Sequence, residues 1–166
     1  MRSVVKLTKP PGFGLVPTVV SHRRVNLRSD PTIPAFRRCI EFVRATPLEY
    51  LTRWRLSNEV FGDEAELIQV IEWSDGDVSL AVRQPQYHGE PAADREIERF
   101  FRESGWASIT DPAREHELFF NYAYNVLAID AVPRNCYVRD DRLLPFDVIL
   151  CEPDEELEQY LRLYPA

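Results

Sequence analysis

Apolar residues recur at helical spacing from Tyr50 through Leu51 and Trp54 to Val60 and Phe61. Both ends of that stretch are punctuated. Thr46-Pro47-Leu48-Glu49 offers a threonine N-cap, a proline at the first helical position and a glutamate at the third, and Gly62 can end the helix. Phe36, Cys39, Ile40 and Val43 follow the same spacing and predict a helix from Pro34 to Arg44. Ile97, Phe100 and Phe101 predict an amphipathic helix from Ala93 to Ser104, closed by Gly105. A final acidic helix is expected from Pro153 to Tyr164, packed through Leu157, Tyr160 and Leu161.

Shorter apolar runs read as strands. Glu66 to Trp73 and Val78 to Arg83 form a predicted hairpin around Ser74-Asp75-Gly76-Asp77, and Gln84 to Pro91 then breaks regular structure. Trp106 to Ile109 and Asn125 to Ile129 are further strands, with an aromatic-rich stretch, Leu118 to Tyr124, between them. Cys136 to Val138 and Leu143 to Leu150 are expected to pair across Arg139-Asp140-Asp141-Arg142. Residues 1–35 are rich in proline and glycine, so an extended, partly irregular segment is expected, with strands at Val4-Val5, Leu15-Val16 and Val19-Val20. The sum is an α+β fold in one domain: residues 1–45 an irregular segment with one helix, 46–153 the main body, and 154–166 the acidic helix.

Charge narrows the function. The net charge of −7 argues against a general nucleic-acid binder, which needs a cationic footprint. Its distribution is uneven: residues 22–55 are arginine-rich, whereas Glu152, Asp154, Glu155, Glu156 and Glu158 crowd the end. Two solvated faces that attract one another are expected; the alternative is an arginine face for a phosphate or an acidic partner. No apolar run reaches the roughly 18 residues of a membrane span, and residues 1–6 lack the apolar stretch of a signal peptide, so a cytoplasmic protein without membrane contact is expected. Cys39, Cys136 and Cys151 are odd in number and show no metal-ligand spacing, which points to a reducing compartment and no zinc site. His88 and His116 read as surface or capping residues, and Trp54, Trp73, Trp106, Phe119 and Phe120 as core.

The candidate chemistry lies near the C-terminus. Asp130 precedes Asn135 by five residues, with Pro133 between them, and Asp147 follows twelve residues later. One tight hairpin across that gap would return Asp147 to Asn135, giving two oxygen ligands beside a carboxylate, as Mg²⁺-dependent phosphoryl transfer requires. Turn chemistry is the competing explanation for such residues.

Asp130-Ala131-Val132-Pro133-Arg134-Asn135 resembles the catalytic loop of protein kinases, and Asp147 falls where the aspartate of the Asp-Phe-Gly motif would lie. Three runs are similar to the polyvalent protein kinase domains of phage and mobile-element proteins: Asn58-Glu59-Val60-Phe61-Gly62-Asp63, Val82-Arg83-Gln84-Pro85 with Gly89-Glu90, and Leu144-Pro145-Phe146-Asp147-Val148-Ile149. The resemblance spans roughly residues 46–153 and implies a reduced kinase-like fold that binds ATP and Mg²⁺. Asp130 would be catalytic, Asn135 and Asp147 would hold the metal, and Gln84 and Gln86 would lie in the hinge facing the adenine. Lys6 would pair with phosphate, and Glu49 or Glu59 would pair with that lysine. The chain departs from the family at Ala128-Ile129, where His-Arg is usual, and at Val148-Ile149, which replaces Phe-Gly. The alternative is a non-catalytic, pseudokinase-like module that binds a protein partner.

Overall fold

The computed structural model describes residues 2–24 and 35–164. The chain runs β1 (Ser3–Leu7), β2 (Leu15–Arg24), β3 (Ala35–Arg44), α1 (Pro47–Phe61), β4 (Glu66–Glu72), β5 (Val78–Pro85), β6 (Glu90–Pro91), α2 (Asp94–Glu103), β7 (Ala107–Thr110), β8 (Glu117–Asn121) and β9 (Val126–Ile129). A 3₁₀ turn (Pro133–Asn135), β10 (Cys136–Arg139), β11 (Arg142–Pro145), β12 (Ile149–Cys151) and α3 (Glu155–Leu161) complete it. The class is α+β, with small antiparallel sheets and, among the described residues, three helices. None of these helices is long and apolar enough to cross a membrane.

Local chemistry explains α1. Thr46 Oγ1 accepts from the Glu49 backbone N–H at 3.3 Å, and Glu49 Oε2 accepts from the Thr46 N–H at 2.7 Å, so the capping box is complete. At the other end Gly62 adopts φ 70°, a left-handed cap that suits glycine. The buried side chains of α1 include Tyr50 and Trp54, which pack with Leu80 and Val82 of β5.

The expected helix at 34–44 is a strand over the described part, Ala35–Arg44, paired with β2 in unbroken register from Leu15↔Arg44 to Arg24↔Ala35. Pro34 lies outside the described residues. The reason is long-range: Cys39 and Ile40 are consecutive yet both buried, which a strand covered on both faces allows. Residues 1–45 therefore hold no helix among those described.

Four sheets result, ordered β1-β5-β4, β2-β3, β12-β9-β8-β7 and β11-β10-β6. Strand β9 is fully buried and carries both main apolar clusters, Val126 and Ala128 facing one and Leu127 and Ile129 the other. Trp106 joins the first cluster with Phe101 and Phe119. Trp73, expected in the core, is 43% exposed and donates from Nε1 to Ser79 Oγ at 2.9 Å. The acidic end packs through Leu157, Tyr160 and Leu161, while Arg38 meets Glu156 at 3.1 Å and Arg55 meets Glu152 at 2.5 Å. These pairs join basic and acidic segments.

Candidate functional site

Asp130 leaves the buried strand β9 with φ 63°, a left-handed conformation that aspartate tolerates better than most residues. The loop then folds back on it. Asn135 Nδ2 donates to the Asp130 carbonyl at 2.8 Å and to Asp130 Oδ2 at 2.9 Å, and Arg134 donates to Oδ1 at 2.5 Å. Asn135 is buried; its amide nitrogen is committed to Asp130, and among the described residues no donor reaches its Oδ1.

Strands β10 and β11 form the expected hairpin, with Asp140 and Asp141 both at positive φ, 52° and 57°, as a tight two-residue turn requires. The second arm is shorter than expected, ending at Pro145. The Phe146 N–H donates to the Asn135 carbonyl at 3.0 Å, so the hairpin returns the chain to Asn135 one residue before Asp147.

Asp147 is half exposed and meets two cations. Lys6 Nζ lies 3.0 Å and Arg53 Nη2 3.0 Å from its Oδ1; Arg53 also donates to the Asp147 carbonyl at 3.1 Å. Both cations sit over the Trp54 ring, at 5.1 Å and 5.7 Å from its centroid. Strand β1 thus delivers Lys6 and α1 delivers Arg53 and Trp54 to one carboxylate.

The other candidates are dispersed. Glu49 caps its own helix, and Glu59 pairs with Arg55 at 3.0 Å, so the described ion pair of Lys6 is with Asp147 rather than with either glutamate. Gln84 lies within β5 opposite Val4, 4% exposed, with its Oε1 lacking a partner. The Gln86 N–H is taken by the Arg2 carbonyl at 2.9 Å. Of the cavities, Asp130 and Arg134 line one of ≈ 840 Å³, Gln86 one of ≈ 620 Å³, and Glu49 with Arg53 one of ≈ 350 Å³.

Two features have no signal in the sequence. Ser57 and Tyr87 both donate to the buried carboxylate of Asp63, tying the end of α1 to the segment after β5. Burial raises the Asp63 pKa above the ordinary range, against the lowering effect of those two hydroxyls. Nearby, a Cβ on Gly89 would stand 2.5 Å from the Val138 carbonyl, so this segment approaches β10 as closely as glycine alone permits. Of the remaining titratable groups, His116 meets the Ile40 carbonyl and Phe42, and His88 is exposed. Burial pushes the thiols of Cys136 and Cys151 up to about 12, which makes them packing groups.

A scan against protein-family models finds no match, and searches of curated proteins and of solved structures return no significant match.

Proposed function

We propose that this chain is a reduced kinase-like domain that binds a Mg²⁺-nucleotide at Lys6, Asn135 and Asp147, with Asp130 as its catalytic aspartate. The observation that carries this reading is the meeting of Lys6 and Asp147 at 3.0 Å across 141 residues of chain. Kinase sites need a strand lysine for the phosphates and an asparagine and an aspartate for the metal, gathered at one cleft.

The donor set fits the ion. Mg²⁺ takes oxygen ligands and keeps several waters, and Asn135 Oδ1 and Asp147 Oδ2 receive no donor from the described residues. When bound, the ion would neutralise charge on the transferring phosphate oxygens. Lys6 would bind those oxygens in place of Asp147. The carboxylate of Asp130, oriented by Asn135 and Arg134, would accept the proton of the attacking hydroxyl.

One observation favours a second reading, a non-catalytic module that binds a protein partner. Arg53 holds the same Asp147 oxygen as Lys6, and neither Glu49 nor Glu59 pairs with the lysine as an active kinase requires.

Thermal unfolding with and without Mg-ATP tests the proposal. A nucleotide at a hundredfold excess over its Kd stabilises the folded state by about 2.7 kcal/mol. Absence of a shift would sink nucleotide binding, and a shift undiminished in Asp147→Asn would sink the metal assignment. A Mg-dependent shift without phosphoryl transfer to any acceptor would favour the second reading.

A further inference from the structure

The spacing of the cysteines along the chain offers no metal site, but the pairing of β2 with β3 builds a candidate. His22 stands opposite Arg37, so His22 shares one face of the ribbon with Cys39 and Glu41, two and four residues beyond Arg37. A ring nitrogen, a sulfur and a carboxylate oxygen from these three residues all lie within 4.8 Å of one another. Cys39 is buried, whereas the side chains of His22 and Glu41 are 55% and 48% exposed. The sulfur therefore forms the floor of the cluster, and the nitrogen and oxygen form its rim.

We propose that His22, Cys39 and Glu41 bind a Zn²⁺ ion that fastens the two strands of the ribbon together. The mixture of donors selects the metal. Mg²⁺ and Ca²⁺ take oxygen ligands, whereas Zn²⁺ accepts thiolate, imidazole and carboxylate together. Zinc bonds of about 2.0–2.3 Å in a tetrahedron set ligand atoms roughly 3.3–3.8 Å apart. His22 Nε2 and Glu41 Oε1, now 2.5 Å apart, would open by about an ångström. Their exposure gives them that freedom, gives the ion an entry path, and leaves a fourth position for water. Binding releases the thiol proton to solvent as the zinc–sulfur bond forms, with no change of oxidation state. The clasp would join the strands on the face opposite Val19 and Ile40, which pack in the second apolar cluster. The site shares no residue with the candidate nucleotide site.

The test uses the full chain stripped of metal with EDTA, then titrated with Zn²⁺, Co²⁺ and Mg²⁺. One equivalent of Zn²⁺ should raise the unfolding temperature, and Co²⁺ should give a thiolate-to-metal charge-transfer band. Mg²⁺ should do neither. Cys39→Ser should abolish the charge-transfer band. His22→Gln and Glu41→Gln, at exposed positions that leave the metal-free fold intact, should each weaken Zn²⁺ binding by at least about tenfold, the loss that even outer partners of a zinc site cause. A wild-type protein without the Co²⁺ band overturns the proposal. So does equal Zn²⁺ affinity in the wild type and all three variants, which would mark the ion as adventitious.

Discussion

Arg53 grips Asp147 at two points, its guanidinium donating to the carboxylate Oδ1 at 3.0 Å and to the main-chain carbonyl at 3.1 Å. The arginine side chain is largely buried, while the carboxylate is half exposed. Water screens the pair, so its direct contribution to stability is modest, about 1 kcal/mol or less. Its larger effect is on what else can reach Asp147.

On the proposed function, Arg53→Met should therefore cost little stability and strengthen the Mg-ATP thermal shift, because a competing cation leaves the carboxylate proposed to hold the metal. Lys6→Met should weaken the same shift, because the charge proposed to bind phosphate is lost. Thermal unfolding of the two variants side by side measures both; a smaller Mg-ATP shift in Arg53→Met would make Arg53 a nucleotide contact instead of a competitor.

Asn135→Asp should destabilise the chain at neutral pH by about 1–3 kcal/mol. The Nδ2 that now donates twice to Asp130 would be replaced by an oxygen, setting two carboxylates against each other. Their mutual repulsion raises the pKa of the pair, so the variant should recover stability as pH falls and the pair takes up a proton. Urea unfolding at acid and neutral pH reads this directly.

Asp63 and Asp111 should give opposite slopes of stability against pH. Burial raises the Asp63 pKa, so its contribution is full below the ordinary carboxylate range and is lost as pH rises through the raised value. Burial would also raise Asp111, but N–H donors from Glu115, Ala113 and His116 and the Tyr160 hydroxyl outweigh it and hold the pKa low. The Asp111 contribution is present above the ordinary range and lost as pH falls through the lowered value. Asp63→Asn should flatten the decline towards neutral pH, and Asp111→Asn the decline towards acid. Denaturant unfolding across that range, with each variant, separates the two.

Glu49→Gln should leave both helix and nucleotide response intact, since glutamine at the third helical position still accepts from the Thr46 N–H. Thr46→Ala should cost about 1 kcal/mol. If Glu49 acted as the partner of the lysine, Glu49→Gln would instead reduce the Mg-ATP shift, which the same thermal assay detects.

Gly89→Ala should destabilise by about 1–3 kcal/mol, because the added Cβ meets the main-chain carbonyl of Val138, which cannot swing aside like a side chain. Urea unfolding gives the figure, and a neutral result would mean the close approach to β10 is slack.

Elements punctuated locally were legible in the sequence. Thr46 and Gly62 bracket α1, and Asp140-Asp141 supplies a turn whose residues accept positive φ. Strand β3 was not legible, because Phe36, Cys39, Ile40 and Val43 fit a helical face as well as a strand, and only pairing with β2 decides between them. Within the candidate site, the spacing of Asp130, Asn135 and Asp147 was readable, since one hairpin joins the last two. The arrival of Arg53 at Asp147 was not, because it depends on how α1 lies against a segment 94 residues away. The Asp63–Tyr87 contact and the His22–Cys39–Glu41 cluster likewise arise from tertiary packing and cross-strand register, which no local motif encodes.

Strand β1 finds its sheet partner only at β5, with Ser3 opposite Pro85, and its lysine finds its carboxylate only at Asp147. In a growing chain Lys6 precedes Asp147 by 141 positions and must wait while the residues between them are made. No stretch ending before Asp147 contains the Lys6–Asp147 pair. Closing so long a loop carries an entropic cost that local contacts cannot offset early, so the candidate site should be among the last parts of the molecule to form.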